Sequence, residues 1–399
     1  MIVDDDLFNL KLALSGSLGK SGNLGEAISY AMTATKMARE LHVYRYLSSA
    51  CYLAEFYEAA GEFEQSIAFF EEASDLAVEL LSHNTNDNYA GLTLAICYAG
   101  RGRIYSKIGN LEYAFLFFQE LYNATARLMK FEAPNEATFL EWTRLHAVSC
   151  QSLSDFYIKQ QKGAEALPLA SECYDLCMDR LDAYPDDPDT RMQVVIAAYG
   201  LGDAYRLSGN MDEALCYYRK TYEGASQLSS AFRDNYEFCT GLIISLEKLG
   251  NWYLTAGEVE AALIAYEQQY AIVQQLYHDD PGDLTKTTNL MSAAMHLGAL
   301  YLKTREFDRS VLHLQEANDL GIGLIGKYPN IVGHKHNLAM VYANLFDLYR
   351  QRGPHDTAVL FCKKAHDAFQ ELGTLLPANR DYEVALDYYK IKLDDLQTH

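Results

Sequence analysis

Apolar positions along this chain recur at helical spacing, and the helical stretches come in pairs. Between Val194 and Leu228, Ile196, Tyr199, Leu201 and Tyr205 follow a 3.6-residue period until Gly209-Asn210 interrupts it. Met211, Ala214, Leu215, Tyr218 and Tyr222 then resume that period. Helical periodicity on both sides of a Gly-Asn break predicts two helices folded back on each other. Gly209 is placed to close the first helix in the left-handed conformation. The same unit returns along the chain. Tyr57, Tyr105, Tyr157, Tyr205, Tyr253, Tyr301 and Tyr349 are spaced by 48, 52, 48, 48, 48 and 48 residues. Leucine stands four positions earlier at Leu53, Leu153, Leu201, Leu249, Leu297 and Leu345. Glycine stands four positions later at Gly61, Gly109, Gly209, Gly257 and Gly353. Nine positions later the residue is always small: Ser66, Ala114, Ala166, Ala214, Ala262, Ser310 and Ala358. Columns that keep register over such a length define a repeat array. The small column is predicted to let the second helix of each pair lie close against the first.

Leu201-Gly202-x-x-Tyr205, followed by Ala214 and Tyr218, resembles the tetratricopeptide repeat. Leu249-Gly250-Asn251-Trp252-Tyr253 with Ala262 and Tyr266 resembles it too, as does Leu297-Gly298-x-x-Tyr301 with Ser310. The resemblance implies an all-α fold, a right-handed superhelical solenoid of antiparallel helix pairs. The family's usual period is about 34 residues, so the longer period here implies a long-helix variety. Leu14, Leu18, Gly22 and Ala27 occupy the same columns one unit earlier, and Tyr382, Leu386, Tyr389 and Leu393 form one last helical stretch. The expectation is eight pairs over residues 1–378 and a polar-faced capping helix over 379–399 of the same array. Departures also occur. The family's tryptophan position holds Ala50, Tyr98, Cys150, Ala198, Leu246, Ala294 and Tyr342, and the glycine before the tyrosine is replaced at Ala54, Ser154 and Phe346. The third full unit gains four residues around Pro134, puts Gln161 at the turn and carries Pro168 inside its second helix. A bend or weak point is expected there.

Charge narrows the function. With 54 acidic against 33 basic residues the net charge is −21, which repels phosphate backbones and anionic lipid, so no nucleic-acid partner is expected. No apolar run approaches the roughly 20 residues of a membrane span, so no membrane insertion is expected either. The acidic start, Met1 to Asp6, is unlike a secretory leader. Eight cysteines contain no Cys-x-x-Cys pair; Cys173 and Cys177 offer half a metal site but read as small buried hydrophobes. A cytoplasmic, reducing setting with no cofactor and no metal is the expectation. Gly321-x-Gly323-x-x-Gly326 fits a dinucleotide fingerprint but follows no strand, and His334 and His336 point apart on a helix. No zinc-protease, nucleophile-elbow or phosphate-loop motif occurs, so the chain reads as non-catalytic.

In proteins of the family it resembles, the first helices line a concave groove. Positions nine, six and two before the tyrosine, and one after it, face inward. Over the most regular units this assigns Ile196, Tyr199, Asp203, Arg206, Ile244, Glu247, Asn251 and Met295 to a partner-binding groove. Asp203 with Arg206, and Asp347 with Arg350, are also spaced to neutralise each other. Acidic Asp203 and Glu247 favour a partner segment carrying Lys or Arg. No lysine occupies the six-before column, which argues against a clamp for a C-terminal carboxylate. The function expected is a protein–protein interaction scaffold or adaptor that holds a protein or peptide segment. The alternatives are a peptide- or ligand-responsive regulator and, third, an enzyme built on helical repeats.

Overall fold

A computed structural model describes residues 2–20, 23–130, 135–233, 235–377 and 379–397; among these, every regular element is a helix. One compact unit, Met1–Ala214, holds α1 (Ile2–Lys20), α2 (Leu24–Leu41), α3 (Val43–Ala60), α4 (Phe63–His83), α5 (Asn88–Lys107), α6 (Leu111–Leu128), α7 (Glu136–Lys159), α8 (Gly163–Ala183) and α9 (Pro188–Leu207). The helix α10 (Met211–Ala231) carries the boundary. The other unit, Leu215–His399, holds α11 (Tyr236–Ala256), α12 (Val259–Asp279), α13 (Leu284–Lys303), α14 (Phe307–Lys327), α15 (Val332–Arg352), α16 (His355–Leu375) and α17 (Arg380–Gln397). Seventeen helices among the described residues match eight pairs and one final helix.

The turn inside each pair has one chemistry. Backbone N–H groups of Asn23, Glu62, Asn110, Lys162, Asn210, Glu258 and Glu306 donate to the carbonyls of Leu18, Tyr57, Tyr105, Tyr157, Tyr205, Tyr253 and Tyr301 at 2.8–3.0 Å. This six-to-one closure needs a left-handed residue just before the donor. Gly61, Gly109, Gly209 and Gly257 supply it, with φ between 79 and 82°. Where glycine is missing, Gln161 and Arg305 adopt φ of 59 and 64° and keep the bond. Gly353 departs, with φ −129° and ψ 177°. The residue after it is Pro354, which has no N–H to close the turn and drives its predecessor into the extended region. Gly22 and Pro134 lie outside the described residues. The expected weak point at Pro168 leaves α8 an unbroken helix.

The small column is wholly interior. Ser66, Ala114, Ala166, Ala214, Ala262 and Ser310 have no exposed surface and Ala358 almost none. The two serines also donate across the pair, Ser66 Oγ to Ala54 O (2.6 Å) and Ser310 Oγ to Gly298 O (2.8 Å). The column therefore accepts a hydroxyl because a facing carbonyl receives its hydrogen.

A further column becomes visible at the helix starts. Asp87, Asn135, Asp187, Asn235 and Asp283 precede α5, α7, α9, α11 and α13, and each side chain accepts a hydrogen bond from a first-turn backbone N–H. At α15 the column holds Ile331, which provides no side-chain cap. At the far end α17 packs on α16 by burying Tyr382 and Tyr389 with Phe346 and Phe369. Its opposite face is less polar than expected: Val384, Tyr388 and Ile391 are exposed at helical spacing.

Two outcomes follow from this packing. Ala262→Leu and Ser310→Leu each force four-carbon side chains into filled space and destabilise by about 1–3 kcal/mol, read as a lower urea midpoint. Arg305→Gly relieves a left-handed backbone and stabilises by about 1 kcal/mol; a midpoint at or below the parent's contradicts the turn energetics.

Candidate functional site

In the first unit each odd-numbered helix touches the next odd-numbered one, from α1 to α9, and α13 touches α15 in the second. No two even-numbered helices pack together among the described residues. Rows that converge lie inside a curve, so odd helices form the inner wall of these stretches. In these stretches the position nine before the tyrosine is open to solvent at Val148 of α7 and Met340 of α15, with 39 and 37% exposure, and holds serine at Ser48 and Ser292; Ile244 of α11, outside these stretches, is 42% exposed. Ile96 and Ile196 in the same column are half-buried.

The sequence-derived groove residues have distinct placements. On α9, Ile196 and Tyr199 are half-buried, whereas Asp203 is buried with Oδ1 3.6 Å from Arg206 Nε. On α11, Ile244 is exposed and Glu247 half-buried, its Oε2 accepting from Gln269 Nε2 at 3.4 Å. Asn251 is exposed, and its Oδ1 accepts from Tyr266 OH at 2.8 Å. Met295 corrects the column rule. It is 8% exposed and sits in the core with Met291, Leu314, Leu338 and Val341, because α15 packs over that face of α13. The i,i+3 pair Asp347–Arg350 is formed at 3.2 Å.

Besides Asp203, a second charge on the wall is interior. Glu58, 8% exposed at the end of α3, accepts from Arg103 Nη2 (2.9 Å) and Lys107 Nζ (2.7 Å) of α5. Burial works against its ionisation, but hydrogen bonds and charge from Arg103 and Lys107 outweigh it and hold its pKa below the ordinary glutamate value. This pairing ties two consecutive inner helices together.

Two other features stand apart from the wall. A cleft of about 800 Å³ opens between α12, the start of α13 and α14, bordered by Tyr270, Tyr277, Leu290, Glu316, Leu320 and Tyr328. Gly323 of the glycine-rich motif borders it, while Gly321 makes close packing against Met291 possible, a role in helix contact. His334 and His336 are structural partners of Thr288 and Tyr382. Between α7 and α8, His146, Cys150 and Glu172 bring a nitrogen, a sulfur and an oxygen within 4.8 Å of one another. Burial, then the charge of Glu172, pushes the Cys150 thiol pKa up. The His146–Cys150 spacing of four was readable on α7. Glu172 was not, because it arrives from the paired helix.

A family model of the tetratricopeptide repeat matches residues 245–283. No curated protein matches the chain. Among solved structures, the apo form of RapI is 12% identical, with 98% of this chain and 99% of that chain covered and a TM-score of 0.52. A Rap protein complexed with competence and sporulation factor is 15% identical over 99% and 98% of the two chains (TM-score 0.49). Aspartyl phosphate phosphatase F from Bacillus subtilis is 12% identical over 98% and 94% (TM-score 0.49). The chain thus has the helical-repeat fold of such structures, and residues 245–283 match the tetratricopeptide repeat. No described helix is long and apolar enough to cross a membrane.

The Glu58 pairing predicts a pH signature. Its folded pKa lies below the unfolded value of about 4.3, so its stabilisation is complete above that value and is lost as pH falls through the folded pKa. Glu58→Gln therefore lowers stability by about 1–3 kcal/mol near neutrality, and the gap from the parent narrows as the medium is acidified. Urea melts at several pH values check this; a gap that is constant down to acid pH contradicts it.

Proposed function

We propose that the odd helices, taken within each unit, bind a protein or peptide segment, making the chain a non-catalytic interaction scaffold. The observation that carries this is the set of solvent-open apolar side chains on odd helices, Val148, Ile244 and Met340, each with charged or amide side chains nearby on its helix. Groups of that composition bury well against a partner while polar neighbours fix its register. On α9 the contact residues are Ile196 and Tyr199, with Arg206 and its paired Asp203 at the edge. On α11 they are Ile244, Glu247 and Asn251; Met295 supports the wall of α13 from beneath. Tyr199 is the aromatic anchor, and anchors of this kind contribute at least about 2 kcal/mol when buried by a partner. Glu247 and the overall charge of −21 favour a segment carrying Lys or Arg. The setting proposed is the cytoplasm, and neither nucleic acid nor a membrane is a partner.

Tyr199→Ala combined with Glu247→Lys removes the anchor and reverses the charge. Quantitative mass spectrometry of proteins captured from native lysate is expected to show the specific partner lost from the double variant. The melting transition stays near the parent's, since both side chains are partly solvated. Undiminished capture of every specific partner by a folded double variant overturns the groove assignment.

A further inference from the structure

The His146, Cys150 and Glu172 cluster is best understood through its hydrogens. His146 Nδ1 lies 3.0 Å from Thr125 Oγ1, which lies 2.8 Å from Ser149 Oγ, which donates to His146 O at 2.7 Å. The network can run in two directions: Nδ1–H donates to Thr125, whose hydroxyl donates to Ser149 or to Leu121 O (3.0 Å), or Thr125 donates to Nδ1 and the ring proton sits on Nε2. In the first direction Nε2 carries no proton and is available as a metal ligand. Bare Nε2 then faces Glu172 Oε1 at 3.1 Å. The carboxylate beside Nε2 suits either a proton on that nitrogen or a metal cation in its place, so a metal ion here competes with a proton. Glu172 is aimed from its other oxygen, where Tyr122 OH donates at 3.1 Å. Cys150, one turn beyond His146 on the same face of α7, contributes the third donor atom, from a fully buried side chain.

We propose that His146 Nε2, Cys150 Sγ and a Glu172 carboxylate oxygen form a binding site for a zinc ion, with one coordination position left for water or a partner's donor. The donor set selects the metal. Thiolate with imidazole disfavours magnesium and calcium, which take oxygen ligands, and suits zinc in a tetrahedral site. Bonds of about 2.0–2.3 Å hold tetrahedral donors roughly 3.3–3.8 Å apart, so donors within 4.8 Å need only a small inward turn. Glu172 can make it, because its side chain is 39% exposed whereas that of His146 is 6% exposed. The same exposure provides the entry route. Thr125 and Ser149 are the outer partners that can hold the imidazole in its metal-binding tautomer, as metal-bound histidines require. A bound dication also reverses the electrostatics at Cys150 by favouring its thiolate.

Cobalt(II) is the probe, added to chelator-treated full-length protein. The parent is expected to bind one equivalent with a thiolate-to-cobalt charge-transfer band and the visible bands of a four-coordinate ion, both bleached by zinc. Cys150→Ser loses the charge-transfer band, whereas Cys216→Ser, altering an exposed cysteine, retains it. Glu172→Gln weakens binding at least about tenfold, and Thr125→Val weakens it about 10–100-fold. No charge-transfer band in the parent, or one that survives Cys150→Ser, overturns the site. Should Cys150→Ser fail to fold, Glu172→Gln on the partly exposed residue decides it: unchanged cobalt affinity overturns the site equally.

Discussion

The close approach of two helices just beyond each turn is the constraint on which the rest of this structure depends. In every tyrosine unit but that of Tyr349 the turn sets it by closing the tyrosine's carbonyl onto the N–H five residues later, so the second helix starts at a fixed angle and distance. The tyrosine ring then reaches across. Tyr57 stacks on Phe69, Tyr105 on Phe117 and Tyr349 on Phe361, with centroids 5.8, 5.6 and 5.5 Å apart and planes within 10°. Tyr301 does the same with His313. Each stack joins residues twelve apart, one per helix, and adds to the apolar area buried there. Only a small residue at the next contact allows that geometry.

Volume is conserved across the pair even where the motif fails. A Cβ on Gly102 would come within 2.6 Å of Phe118, and one on Gly250 or Gly298 within 2.8 Å of Tyr266 or Leu314. The missing side chain on one helix is space for a large one sixteen residues later. At Phe346 the order is reversed: the large residue sits on the first helix, and Cys362 occupies the facing position in the same cluster. Interiors filled to crystal density tolerate such an exchange because total volume is kept. The glycine column is therefore half of a two-residue rule.

This separates what the sequence displays from what it conceals. Turn, small and leucine columns are legible because each is local to one pair and recurs at a fixed interval. The left-handed Gln161 and Arg305 could be inferred from register, since the turn bond demands that backbone regardless of residue type. The cap column from Asp87 to Asp283 was equally periodic, yet loops rich in Asp and Asn hide one functional acid among several. Met295 was misplaced because inward-facing columns assume that consecutive inner helices leave the position open, and α15 closes it. Glu58 and its two cations belong to different pairs, so their meeting depends on how one pair seats on the next. Candidate wall residues on α9 and α11 share this limit: sequence gives their face, while their exposure depends on neighbours.

Departures from the repeat are also where chemistry collects. The column seven before the tyrosine holds alanine in three units, and in the third full unit it holds Cys150, which packs with Cys173, Cys177 and Ala147. A thiol fits where three other units place a methyl group, so the pair keeps its approach while acquiring a sulfur donor atom. The same pair carries the left-handed Gln161 and an interior Pro168, neither of which breaks a helix. A polar network of Thr125, His146 and Ser149 replaces part of the apolar seam at this junction of α6, α7 and α8. Burying such a network stabilises only when all its members are satisfied. Here Thr125, Ser149 and Glu172 give both imidazole nitrogens of His146 a partner. The network, and the ion proposed to bind at its edge, join α7 to α8 where aromatic stacking of the column tyrosine is absent, since Leu169 stands twelve residues after Tyr157.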